Sequence, residues 1–273
     1  MKNHVKILYI FFVLLFPTTL FSQNQIIKKP KVAATPTPKP QSKPAQQSKP
    51  AQKAKPAAPK QQSGKPRYKA TISLCPDNNH PHAIDMGAAG VWACCNVGAS
   101  KPEEYGDYYA WGETSPKSDY SWETYKWGKA DDKLTKYCSK SSYGLNNFKD
   151  NLTELVPGDD AAAANWGSTW RMPSEAQMEK LTDNCKSEWK QLNGVYGRLF
   201  TAPNGNRVFL PAAGYRNGTS SGSVGSYGYY WSSSLYTSGP DYAYYLDFDS
   251  DGVSLYYGRY GGHSVRPVRL QKN

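Results

Sequence analysis

Residues 23–69 carry twelve basic side chains, not one Asp or Glu, and no aromatic ring before Tyr68. A near-repeat runs through the stretch, Gln41-Ser42-Lys43-Pro44-Ala45-Gln46 followed by Gln47-Ser48-Lys49-Pro50-Ala51-Gln52. Such a segment has too little apolar surface to offset the entropy of ordering it, so a disordered linker with polyproline-II bias is expected. Fully extended at about 3.1 Å per residue, it would reach roughly 140 Å. A solvated spacer is the plain reading, and contact of its lysines with anionic envelope polymers is the alternative. Folding is thereby confined to residues 70–273.

The linker also explains the charge. The chain is formally +11, yet residues 70–273 hold 19 basic against 22 acidic side chains. A basic globular domain is excluded, and with it the usual electrostatic footprint of a nucleic-acid-binding fold. Ahead of the linker, Lys2 and Lys6 precede the apolar run Ile7–Phe16, then Pro17 and a cleavage point after Ser22. This is the pattern of an export signal. Its apolar core of about 10 residues is half of what a bilayer span needs, so no transmembrane span is expected after cleavage. The organisation read from the sequence is a signal peptide at 1–22, a linker at 23–69 and one domain at 70–273. The protein is expected to be secreted or held at the cell surface.

From Ala70 the chain turns aromatic, Gly-rich and acidic, and the pattern predicts an α+β domain of short strands and two short helices. Asp159-Asp160 before Ala161-Ala162-Ala163-Ala164 places carboxylates at a helix start. Ser174 followed by Gln177 forms a capping box for a second helix, with Met178, Leu181 and Cys185 as its buried stripe. Strands follow at 197–202 and 206–210 around Asn204-Gly205, at 229–234, at 243–249, at 253–257 and at 263–270. Alternation sends Tyr244, Leu246 and Phe248 to one face and Tyr245, Asp247 and Asp249 to the other. Across the turn it pairs Val253, Leu255 and Tyr257 against Ser254 and Tyr256. The set containing Tyr245 and Asp247 is expected to face solvent.

A series of motifs then runs in a recognisable order: Trp92-Ala93-Cys94-Cys95-Asn96-Val97-Gly98, Tyr105-Gly106-Asp107-Tyr108-Tyr109-Ala110-Trp111-Gly112-Glu113-Thr114, Trp170-Arg171-Met172-Pro173-Ser174-Glu175, Phe209-Leu210-Pro211-Ala212-Ala213-Gly214-Tyr215-Arg216, Tyr230-Trp231-Ser232-Ser233-Ser234 and Ser264-Val265-Arg266-Pro267-Val268. Over about residues 83–270 the chain resembles the Fibrobacter succinogenes major paralogous domain family. That family is abundant in gut Bacteroidetes, so the resemblance implies a Gram-negative envelope setting. It also implies a C-type-lectin-like fold of two helices, small antiparallel sheets and long loops. Arg171-Met172-Pro173-Ser174-Glu175-Ala176 is similar to a segment of the formylglycine-generating enzymes, which share that fold. Their copper-binding cysteines lie late in the chain, whereas no cysteine follows Cys185 here. Iron-dependent relatives need several histidines, and only His4, His80, His82 and His263 are present. No enzyme is expected, and Arg171 with Glu175 is read as a structural ion pair at a helix start.

Asp247, Asp249, Asp251 and Gly252 match the opening of an EF-hand loop, but the twelfth position is Gly258. A polar strand ending in a hairpin explains the spacing equally well, with calcium as the alternative. His80-Pro81-His82 beside Asp77 lacks a third fixed ligand, which favours a solvated loop. No cofactor and no metal are expected. The cysteines are Cys75, Cys94, Cys95, Cys138 and Cys185; export makes a disulfide plausible and the odd count leaves a thiol over. The expected pairing is Cys95–Cys185, from the first strand and the end of the second helix, both within the motifs that carry the resemblance.

Eleven of the 21 tyrosines lie within residues 215–260, mixed with Ser, Gly, Asn and Asp. That mixture suits a binding surface of rigid rings and small adaptable neighbours, although Tyr is also a good strand residue. The candidate ligand-binding residues are Tyr229, Tyr242, Tyr245, Asp247, Asp249, Ser254, Tyr256 and Tyr260. The expected function is recognition of a glycan or a surface protein without chemistry on it. The family resemblance further implies a possible target of retroelement-driven diversification at this face. A structural component of a fimbria or surface layer is the alternative.

Overall fold

A computed structural model describes residues 74–75, 79–251, 253–254 and 257–270. The expected signal peptide (1–22) and linker (23–69) therefore lie outside the described residues. Among the described residues no helix is long and apolar enough to cross a membrane. The architecture is α+β, with small antiparallel sheets and two α-helices.

The strands in chain order are β1 (Ala83–Asp85), β2 (Val91–Ala93), β3 (Trp170–Arg171), β4 (Lys186–Leu192), β5 (Val195–Thr201), β6 (Arg207–Pro211), β7 (Tyr215–Asn217), β8 (Ser220–Gly222), β9 (Gly228–Leu235), β10 (Tyr242–Phe248), β11 (Val253–Ser254), β12 (Tyr257–Gly258) and β13 (Val268–Arg269). The helices are α1 (Ala161–Trp166) and α2 (Glu175–Asn184). One sheet has the order β1-β2-β13-β3, joining the two ends of the described domain. β10 pairs with β9 along one edge and with β11 and β12 along the other. β4, β5 and β6 form a meander, and β7 and β8 form a hairpin.

Both helices start as their sequences dictate. Asp160 accepts a hydrogen bond from the Ala163 amide at 3.0 Å, and its other oxygen takes the Met172 amide at 2.9 Å. Ser174 and Gln177 satisfy each other's backbone amides, closing the capping box at the head of α2. Met178, Leu181 and Cys185 then face the core. Since a cap side chain satisfies an otherwise orphaned amide, Ser174→Ala is expected to cost about 1 kcal/mol, read from the urea midpoint. No change in that midpoint would show that α2 is held by packing alone. Arg171 does not pair with Glu175; its guanidinium donates to the Ser168 and Trp170 carbonyls, which lie closer along the backbone.

β4 is a strand absent from the sequence reading. It pairs along its whole length with β5 through a turn at Asn193-Gly194, both at positive φ, +47° and +87°. Gly205, at φ +86°, serves the expected β5–β6 connection.

The β9–β10 pair is buried on both faces. Ala243, Tyr245 and Trp231 enter one cluster, with Tyr109, Trp111, Tyr137 and Trp170. Leu246, Phe248 and Tyr230 enter a second, with Trp92, Met178, Leu181, Phe200 and Leu210. Close approach is built in at Gly228, where a Cβ would lie 2.2 Å from the Phe248 ring. The irregular stretch 94–160 is anchored by aromatic donors on backbone carbonyls. Trp111 Nε1 reaches the Ser232 carbonyl at 2.8 Å, Trp231 Nε1 that of Tyr109 at 2.7 Å, and Trp127 Nε1 that of Gly112 at 2.7 Å. Two arginines near the C-terminus complete this system. Arg259 and Arg266 are both fully buried.

Candidate functional site

At one end of β9 and β10, rings are stacked from the surface to the core. Tyr227 is 37% exposed and lies parallel to Tyr229, with centroids 6.0 Å apart and planes 19° apart. Tyr229 in turn stacks on Tyr245 at 5.9 Å and 28°, and Tyr215 meets it edge-on at 5.5 Å. Beneath them His263 stacks on Trp231 at 4.1 Å and 21°. The outer rings thus rest on a rigid buried base and lose little freedom when a ligand covers them.

Carboxylates border the stack. The β9–β10 register sets Asp247 opposite Tyr229. Asp249 Oδ1 accepts the Asp251 amide at 2.8 Å, and the Asp249 carbonyl accepts from Arg198 Nε at 3.1 Å. This fixes Asp249 at the start of the turn into β11, as the polar-strand reading expects. Asp249, by its charge and a hydrogen bond, raises the phenol pKa of Tyr227 above its usual value. Burial and then the Asp247 charge push Tyr229 up to about 12. Both phenols are therefore protonated at neutral pH, beside carboxylates that accept hydrogen bonds.

The eight candidate residues do not form one surface. Tyr229, Asp247 and Asp249 come together, joined by Tyr215 and Tyr227. Tyr245 was expected outside, but it is 6% exposed. Its face of β10 is covered by Trp231, His263 and the irregular 94–160 segment, so alternation assigned its side correctly and its exposure wrongly. Tyr242 is 42% exposed at the opposite end of β10; five residues of strand place it about 17 Å from Asp247. Tyr260 packs on Trp122 at 4.9 Å in a separate aromatic group with Tyr125. The backbone of Ser254 belongs to β11, but its side chain and the whole of Tyr256 lie outside the described residues. Tyr215 and Tyr227 were missed because neither falls in a strand of clear alternation. Two surface depressions of about 370 and 560 Å³ lie elsewhere, beside α2.

The thiols are arranged differently from the expected pairing. Cys95 and Cys185 are both free thiols, and the bridge between them is not formed. Cys185 is in the core with Met178 and Leu181, while Cys95 donates to the Ala99 carbonyl at 3.4 Å. The two residues are held in different environments by different elements. Cys94 instead lies 3.1 Å from His80 Nδ1 and 3.6 Å from His82 Nδ1, and Cys75 lies 3.6 Å from His80 Nδ1. One ligand atom from each of Cys75, His80, His82 and Cys94 falls within 4.8 Å of every other. Asp77, the partner considered from sequence, lies outside the described residues. The overlooked signal was Cys-x4-His-x-His-x11-Cys, hidden because Cys94 had been read only as a strand residue adjacent to Cys95.

A family model described as a domain of unknown function, DUF8237, matches residues 171–270. No curated protein and no solved structure matches the chain. The matched segment contains the whole tyrosine stack and the flanking aspartates, and none of the four Cys/His residues.

Proposed function

We propose that residues 70–273 form a binding module of C-type-lectin-like type that recognises a glycan, without chemistry on it, at Tyr215, Tyr227, Tyr229, Asp247 and Asp249. The carrying observation is the parallel Tyr227–Tyr229 stack bordered by two carboxylates. A sugar ring presents a C–H face that packs on a phenol ring, and hydroxyls around its edge that donate to carboxylates. The acidic border favours neutral or amino sugars over sulfated or sialylated ones. Two helices, small antiparallel sheets and long irregular segments support the lectin-like reading. An exported module on a basic spacer, held at the surface of a Gram-negative cell, fits such a role.

The test is a glycan array probed with the full chain, with and without EDTA. Stacking and a charge-assisted hydrogen bond together contribute about 2–4 kcal/mol, so Tyr227→Ala/Asp249→Asn is expected to weaken binding at least about thirtyfold. Tyr242→Ala, at the far end of β10, is expected to leave affinity unchanged. Equal losses in the two variants would move the site. A folded chain that bound no glycan, but bound a host surface protein or associated with itself, would replace this reading with a protein receptor or an assembly component. A loss of binding in EDTA would bring calcium at Asp247 and Asp249 into the site.

A further inference from the structure

We propose that Cys75, His80, His82 and Cys94 form a four-coordinate site for a zinc-type ion, tying the start of the domain to its first sheet. The ligands are placed by strand register. β1 and β2 pair Ala83 with Ala93, so His82 and Cys94 are the next opposed pair, and the Cys94 amide donates to the His82 carbonyl at 3.0 Å. His80, at a bend ahead of β1, brings its Nδ1 to 3.1 Å from Cys94 Sγ. Cys75, 3.6 Å from the same nitrogen, completes the set.

The distances fit a tetrahedron. Metal–sulfur bonds of about 2.3 Å and metal–nitrogen bonds of about 2.0–2.1 Å imply nitrogen–sulfur edges of about 3.6 Å. Of the sulfur–nitrogen separations among the four residues, two are 3.6 Å and one, Cys94 to His80, is shorter at 3.1 Å. Two thiolates and two imidazoles suit zinc and also other soft or borderline ions. Two thiolates neutralise a divalent cation, and binding releases the two thiol protons to solvent.

The surroundings support a built site. The His82 amide donates to Cys94 Sγ at 3.2 Å, an interaction that orients a ligating thiolate. The Cys94 carbonyl is held by Arg266 Nη1 at 3.0 Å, and the same guanidinium reaches the Asn96 side chain and the Ala93 and Phe209 carbonyls. Cys95 Sγ lies 3.8 Å from His80 Nδ1 and donates to the Ala99 carbonyl at 3.4 Å. In an oxidising compartment, metal ligation also protects these thiols from random pairing.

The experiment uses the full chain, purified under reducing conditions and loaded with Zn²⁺ or Co²⁺. One equivalent of metal is expected per chain. Cobalt should show the visible bands of a tetrahedral site and a near-ultraviolet thiolate-to-metal band. His82→Ala and Cys94→Ser are each expected to weaken binding at least about a hundredfold, since even loss of an outer-shell partner costs about 10–100-fold. Cys138→Ser and Cys185→Ser should keep both stoichiometry and spectrum. His82 is partly exposed, so its variant decides the question if Cys94→Ser fails to fold, with near-ultraviolet circular dichroism as the folding check. The proposal is overturned if the reduced, folded chain takes up no stoichiometric metal, or if His82→Ala leaves the cobalt spectrum unchanged. A Cys75–Cys94 disulfide in the exported protein would equally overturn it.

Discussion

Arg259→Leu is expected to lower stability by about 4 kcal/mol or to prevent folding. The guanidinium donates to the Lys136 and Pro240 carbonyls at 2.7 Å, to the Tyr137 carbonyl at 2.8 Å and to Tyr125 Oη at 2.9 Å. It also lies over the Trp111 and Tyr125 rings, 5.3 and 5.4 Å from their centroids. Leucine would leave three carbonyls without this donor, and an unsatisfied buried acceptor costs about 1–3 kcal/mol. The penalty for burying the charge itself is removed at the same time, which is why the expected loss is smaller than the sum of the bonds. Arg259→Lys should recover less than half, because an ammonium cannot span the fork of acceptors. The measurement is the urea midpoint and slope of each variant. A loss below about 1 kcal/mol for Arg259→Leu would show that water or neighbouring donors replace the guanidinium.

The second large effect is a dependence on pH. His263 is buried among Trp231, Tyr229 and Tyr245, and desolvation pushes its pKa from 6.5 down to about 3. The folded state therefore holds a neutral imidazole that the unfolded chain protonates more readily. The unfolded state binds the extra proton below pH 6.5, so stability is complete above that pH and declines as pH falls toward about 3. A displacement of this size corresponds to about 5 kcal/mol over the whole window, of which about 2 kcal/mol falls between pH 6.5 and 4.5. Burial also raises the Asp160, Glu175 and Asp241 carboxyls, so the histidine is separated from them by its own substitution. His263→Phe should keep the ring stack and flatten the dependence of the urea midpoint between pH 6.5 and 4.5. An unchanged slope in that variant would assign the effect to another group.

Local signals in this chain were legible where one short segment carries the whole cause. Asp160 and the Ser174–Gln177 box start helices because an amide three residues on needs an acceptor. Asn204-Gly205 marks its turn because Gly205 tolerates positive φ. Asn193-Gly194 carried a similar signal, yet β4 went unseen because its alternation is mostly polar and only partly buried. The tyrosine site was partly legible. Of the expected residues Tyr229, Asp247 and Asp249 lie together, while Tyr227 and Tyr215 join them from segments without clear periodicity.

The sequence by itself determined the two helix starts and the side assignment of β10, because residues two to three apart in the chain carry each of these causes. Only the tertiary structure decided that both faces of β10 are largely covered, since alternation fixes parity and says nothing of what another segment lays over each face. Trp231, His263 and the 94–160 stretch cover the side that carries Tyr245. The same holds for Arg259 and for the Cys75, His80, His82 and Cys94 group. Their partners lie far apart in sequence, and only closure of the sheets brings those carbonyls, thiols and imidazoles within bonding distance.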